Sequence, residues 1–150
     1  MLLTTVGKPK NVPIRLCKQA IHWYGKNLLG SRLYHLIEIN VEFNARELDK
    51  HVYAYCEWMD SNHKAREFNI IINPHLNKKT TLVVLAHEMI HVKQYAKGEL
   101  KDYLRMDSVK WKGKIYVDEI DYWKQPWEME AHKMESRLYL EFKESLRKNH

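Results

Sequence analysis

Glycine, proline and cysteine are all in short supply in this chain: five, four and two in 150 residues. So few chain-breaking residues exclude a collagen-like, low-complexity or linker-like protein. Cys17 and Cys56 stand alone, with no C-x-x-C spacing. A cysteine zinc site and a redox pair are therefore not expected. Both lie among apolar residues, as buried free thiols of a reducing cytosol do. Long hydrophobic runs are missing too. No apolar stretch approaches the roughly 20 residues that span a bilayer, which argues against membrane insertion. The opening MLLTTVGKPKNVPIRL turns polar after two leucines and lacks the apolar core of a signal peptide. A cytoplasmic location is expected.

What is present is ordinary globular material. The chain is 45% hydrophobic, enough for one domain, residues 1–150, to bury a core. Lysine and arginine outnumber acidic residues 25 to 19, for a formal charge of +6. That excess permits weak attraction to nucleic acid or acidic protein. The basic residues are dispersed, however, with short clusters only at Lys78-Lys79 and Arg147-Lys148. A solvated basic surface is expected rather than a dedicated nucleic-acid face.

Periodicity divides the chain into an α+β order. Residues 13–29 form a first helix, with Leu16, Ala20, Trp23 or Tyr24, and Leu28 near one face and Gly30 as its stop. Residues 33–43, 51–59 and 66–73 alternate or are rich in β-branched and aromatic side chains, as strands are. A turn at Asp60-Ser61-Asn62-His63 separates the last two. Short connections predict an antiparallel meander of three strands. Residues 78–97 follow as a long helix, begun or capped at Thr80 or Thr81 and closed at Gly98. Residues 109–117 make a hairpin turning at Lys112-Gly113. Pro126 opens a last helix to about residue 147, with Trp127, Ala131, Met134, Leu138 and Phe142 as its core stripe.

Chemistry concentrates in LAHEMIHVKQYAKGEL, residues 85–100, which contains His87-Glu88-Met89-Ile90-His91. Residues i and i+4 share a helix face, so His87 and His91 converge on one point. Glu88 is rotated by about 100° and reaches a water on the ion rather than the ion itself. This is the H-E-x-x-H arrangement: two metal ligands with a general base. The apolar neighbours Leu82, Val83, Leu85, Ala86, Met89, Ile90 and Val92 predict a buried helix. Two histidines and a glutamate there need a partner, and a cation is one.

A catalytic zinc needs a third protein ligand. Glu128-Met129-Glu130-Ala131-His132, in QPWEMEAH, resembles the ligand helix of gluzincin metallopeptidases, as in the Ste24/HtpX-type peptidases and the ImmA/IrrE proteins. With H-E-x-x-H it makes the chain similar to small phage-encoded zincin-like metallopeptidases, over roughly residues 66–140; the host cytoplasm would then be its location. The resemblance implies a zincin-like fold, one catalytic Zn²⁺ held by His87, His91 and Glu128, and hydrolysis of peptide or protein substrates, as an endopeptidase rather than an exopeptidase. Glu130 competes for the ligand role. Residues two apart on a helix point about 200° from each other, so only one can face the metal. Glu128 lies beside the core stripe and is favoured. His132 stands where Asp or Asn is usual in this family, and is an acceptor for a ligand histidine, an extra ligand or a polar neighbour.

The expected mechanism has the cation lowering the pKa of a water, Glu88 taking its proton and returning it to the leaving amine, and a further donor at the oxyanion. Tyr116, Tyr122 and His132 are candidates for that donor. The resemblance also implies a substrate wall on the strand before the active helix, Phe68, Asn69, Ile70, Ile71, Ile72 and Asn73, to which the peptide adds as a further strand. Trp111, Tyr116 and Trp123 are candidates for pocket walls. Three other readings compete, one of them an ordinary α+β protein in which the H-E-x-x-H spacing is chance and no metal binds. A DNA-associated protease resembling the SprT class would use a third histidine soon after the motif, yet residues 92–131 contain none. A non-catalytic zinc-stabilised binding module would have no use for Glu88. His₂Glu sites also accept divalent ions other than zinc.

Overall fold

A computed structural model of the chain describes residues 1–46, 48–49, 51–61, 63–103, 108–117 and 120–148. It contains three helices and two sheets, a mixed α+β architecture. The first strand, β1 (Leu2–Val6), is followed by α1 (Ile14–Tyr34), β2 (Glu38–Phe43), β3 (Ala54–Trp58) and β4 (Glu67–Ile72). The first sheet has the order β1-β2-β4-β3.

This order corrects the expected meander. β2 is parallel to both β1 and β4, and only β3 runs antiparallel, against β4. β1 and β2 are joined through α1, a crossover of the kind parallel strands require. β1 gave no clear strand signal, because its inward face is only Leu3 and Thr5. β3 does not pair with β2, its predecessor in sequence; β4 lies between them. β4 is the apolar centre of the sheet, with Phe68, Ile70, Ile71 and Ile72 all buried. Asn62, in the expected turn, lies outside the described residues; Asp60, in the same turn, accepts hydrogen bonds from the backbone N–H groups of Arg66 and Glu67.

Helix α1 buries Cys17, Ala20, Ile21, Tyr24 and Leu28, the i, i+3, i+4 stripe of an amphipathic helix. It does not stop at Gly30. The chain kinks there (φ +78°, ψ 163°), a conformation glycine tolerates, and helix resumes to Tyr34. The next helix, α2 (Lys78–Ala96), lies in the core. Its N-cap is Asn77, whose side chain accepts from the Thr80 N–H at 2.8 Å, so the cap falls earlier than Thr80 or Thr81. Tyr24 ties α1 to α2 by donating to the Leu82 carbonyl at 2.9 Å.

The second sheet is an antiparallel run of β5 (Leu100–Tyr103), β6 (Ser108–Trp111) and β7 (Lys114–Val117). The hairpin turns at Lys112 (φ +47°) and Gly113 (φ +87°), as expected; two successive positive φ values mark a type I′ turn. Asp102 on β5 accepts from Trp58 Nε1 and Tyr95 Oη, linking the small sheet to β3 and α2. A 3₁₀ turn, Tyr122–Lys124, leads into the last helix, α3 (Pro126–Lys148). α3 buries Trp127, Ala131, Leu138, Tyr139 and Phe142; Met134 is only half-buried.

Two apolar clusters result. The larger holds α1, α2 and α3 against the first sheet. The smaller is Leu100, Trp111 and Trp127, with Tyr116 edge-on to Trp127 at 5.7 Å between ring centroids. Burying a large apolar side chain contributes roughly 1.5–3 kcal/mol. The smaller cluster therefore fastens the first turn of α3 to the small sheet. Among the described residues no helix is long and apolar enough to cross a membrane.

Candidate metal centre

His87, Glu88 and His91 lie on the inner length of α2 and are nearly buried, at 7%, 5% and 7% exposure. One helical turn separates the two histidines, and their Nε2 atoms approach to 3.2 Å. α3 crosses opposite them and brings in Glu128. Its two oxygens divide between the imidazoles: Oε2 is 3.0 Å from His87 Nε2, and Oε1 is 2.9 Å from His91 Nε2. The sequence candidates His87, His91 and Glu128 are thus brought together. Glu130 points elsewhere, to Gln94 at 3.1 Å and to Lys93 and Lys112 at 3.6 Å.

The electrostatics follow from this crowding. Burial by itself would lower the His87 pKa, but hydrogen bonds to Glu128 and Glu135 outweigh it and raise it to about 10. His91 is likewise raised by Glu128 against the pull of burial. Burial would raise Glu128, yet the two imidazoles hold it well below the usual carboxylate range. Positive charge is favoured at the point where the three side chains meet. Protonation of the imidazoles supplies it in one way, and a divalent cation coordinated by the same three groups is its chemical equivalent.

Glu88 supports the fit independently. Its Oε2 is buried and has no hydrogen-bond partner among the described residues. Burial raises its pKa, against the pull of the neighbouring imidazoles. A bare buried carboxylate oxygen is costly, and such groups mark functional sites more often than packing.

Tyr122 and His132 stand at the rim. Tyr122 donates to Glu128 Oε2 at 2.8 Å, and its oxygen lies 2.9 Å from His132 Nε2. A tyrosine has one proton to give, so His132 Nε2–H donates to Tyr122. The His132 ring rests 4.6 Å from that of His87 and 5.0 Å from exposed Trp123. Tyr116 and Trp111 are not at the site; both belong to the smaller apolar cluster.

Two contacts were not anticipated. Glu135 Oε2 is 2.8 Å from His87 Nδ1, and Gln94 Oε1 is 2.7 Å from His91 Nδ1. Of the three roles open to His132, the acceptor position beside a histidine Nδ1 is taken at His87 by Glu135, seven residues after Glu128 and on the same helix face. Helical spacing is the signal that marks it: 128 and 135 are two turns apart.

The site opens on a cleft of about 770 Å³, lined by Ala54, Tyr55 and Cys56 of β3 on one side and by Tyr122, Trp123 and His132 on another. The expected wall, Phe68 to Asn73, is corrected here. β4 is paired with β2 on one side and β3 on the other, so its backbone has no edge to offer. Ile70 and Ile72 are wholly buried, and Asn73 N–H donates to the Tyr53 carbonyl. The edge beside α2 belongs to β3. Cys56 also lines the cleft, but burial pushes its thiol well above its ordinary range, so it stays protonated and is no rival nucleophile. Comparison with protein-family models, with curated proteins and with solved structures finds no match to this chain.

Proposed function

We propose that the chain is a zinc-dependent metallopeptidase of zincin-like design, acting on internal bonds of peptide or protein substrates. One observation carries the reading. His87, His91 and Glu128 place their ligand atoms within 4.8 Å of one another, beside a buried glutamate with an oxygen unpartnered among the described residues. His87, His91 and Glu128 would hold the ion. When bound, it supplies Lewis acidity, making a water acidic near neutral pH and polarising a carbonyl.

The remaining work falls to the chain's own residues. Glu88 takes a proton from the attacking water at its free oxygen and returns it to the departing amine. Tyr122 O–H and His132 Nε2–H, which in this structure go to Glu128 Oε2 and to Tyr122, are the rim donors that would turn to the carbonyl oxygen as negative charge develops on it. β3 is the substrate wall: an extended peptide adds to this edge strand by main-chain pairing, which gives affinity with little sequence preference.

The test pairs metal content with turnover. The purified chain is expected to bind one zinc per molecule and to cleave casein, with cleavage abolished by a chelator. Glu88→Gln is expected to retain the zinc and lose the cleavage. Full activity in that variant removes Glu88 as the base, and a chain that takes up no zinc removes the reading as a whole.

A further inference from the structure

Each ligand histidine has a second nitrogen, and the structure gives each of these Nδ1 atoms a partner, Gln94 for His91 and Glu135 for His87. Gln94 is fully buried, at 0% exposure. Its Nε2 lies 3.0 Å from the Trp127 carbonyl and 3.1 Å from Glu130 Oε1. Both of those atoms only accept, so this end of the amide is its NH₂. The other end, Oε1, therefore faces His91 Nδ1, and an amide oxygen can only accept there. In its neutral form His91 therefore carries its proton on Nδ1, which leaves the Nε2 lone pair for a cation at the point where the ligand atoms of His87, His91 and Glu128 converge. His87 obeys the same logic, since its Nδ1 lies 2.8 Å from a Glu135 carboxylate oxygen.

We propose that Gln94 and Glu135 are the positioning residues of this centre, each fixing the tautomer and ring orientation of one ligand histidine. Gln94 does more than orient His91. Through the Trp127 carbonyl it also clamps the residue next to Glu128, so a single buried amide links the second ligand to the third. His132 does not reach the Nδ1 of either histidine; its own Nδ1 lies 3.3 Å from the other Glu135 oxygen, and its Nε2–H goes to Tyr122 at the cleft. Partners of this kind commonly change metal affinity by roughly 10- to 100-fold when removed.

This inference rests on the metallopeptidase reading, and its test separates the two. Zinc affinity is measured by competition with a chromogenic chelator for the wild type, Gln94→Leu, Glu135→Leu and Glu135→Gln. The histidine tautomers of the zinc-loaded proteins are read by long-range ¹H–¹⁵N NMR. Both leucine variants are expected to bind zinc roughly 10- to 100-fold more weakly. Glu135→Gln, whose amide oxygen still accepts from Nδ1, is expected to recover most of the loss and to keep the wild-type His87 tautomer. Leucine variants that bind zinc within twofold of wild type, with unchanged histidine spectra, overturn the inference and leave the metal reading standing. A wild type that binds no zinc overturns both. If Gln94→Leu does not fold, the two variants at Glu135, a residue at the partly exposed face of α3, decide the matter alone.

Discussion

The two helices that meet at the candidate centre are built on different terms. α2 is buried along most of its inner length, and its three chemical residues fall into place through the helical repeat alone. α3 buries one stripe and leaves the rest to solvent. Its contribution, Glu128, sits in the first turn of a helix whose position depends on packing elsewhere. That packing is Trp127 against Leu100 and Trp111 of the small sheet, together with the Gln94 clamp on the Trp127 carbonyl. The contrast shows how the candidate cluster divides its requirements: two of its side chains are placed by local geometry, and the third by docking.

That contrast is open to experiment. The largest effect is expected on the α2 side, where Glu88→Gln should cut peptide turnover on the order of 10²–10⁴-fold with zinc retained, as checked by metal analysis beside a casein assay. On the α3 side the sharpest break is Trp127→Ala. It removes the anchor rather than a ligand, and should cost about 3–5 kcal/mol of stability in urea denaturation. Zinc affinity should fall with it; intact affinity would show that Glu128 finds the site without the small sheet.

A smaller effect belongs to the rim. Tyr122→Phe should lower kcat on the order of 10²-fold at constant zinc content, as loss of one oxyanion donor does. An unchanged kcat would make Tyr122 a packing residue.

The last test is pH. Protons hold the His87–Glu128–Glu135 contacts in the chelated protein, and the His87 pKa is raised to about 10. The sign follows from linkage. His87 in the folded chain binds its proton more tightly than in the unfolded chain. Its stabilising share is complete below the ordinary histidine pKa of about 6.5 and is lost as pH rises toward 10. Zinc must displace protons from the same groups, so its affinity rises with pH over this window while metal-free stability falls. Calorimetry of zinc uptake in two buffers of different ionisation enthalpy reads the proton release directly; heats identical after buffer correction for zero protons would contradict it.

Much of this was legible in the residues, and what was not had identifiable causes. The H-E-x-x-H spacing placed His87, Glu88 and His91, and the amphipathic stripe of the last helix turned Glu128 rather than Glu130 inward. The Lys112-Gly113 turn was visible because its backbone conformation admits few residue types. The sheet order was not visible. Strand alternation says which faces are buried, but it does not name a strand's neighbours, and β3 and β4 look equally strand-like in sequence. The substrate wall went to β4 for that reason, where the edge is β3. Gln94 was passed over because a lone buried glutamine has no motif, and its role appears only when His91 and Trp127 are both within reach.

The sequence by itself determined the helices, the two-histidine face of α2 and the kinds of atom available for a cation, because helical periodicity is a local property of 3.6 residues per turn. Only the tertiary structure decided which carboxylate meets the two histidines, which side chains face their Nδ1 atoms and which strand offers its edge. Those are contacts between segments far apart in the chain, set by how the apolar surfaces of α2, α3 and the two sheets pack together.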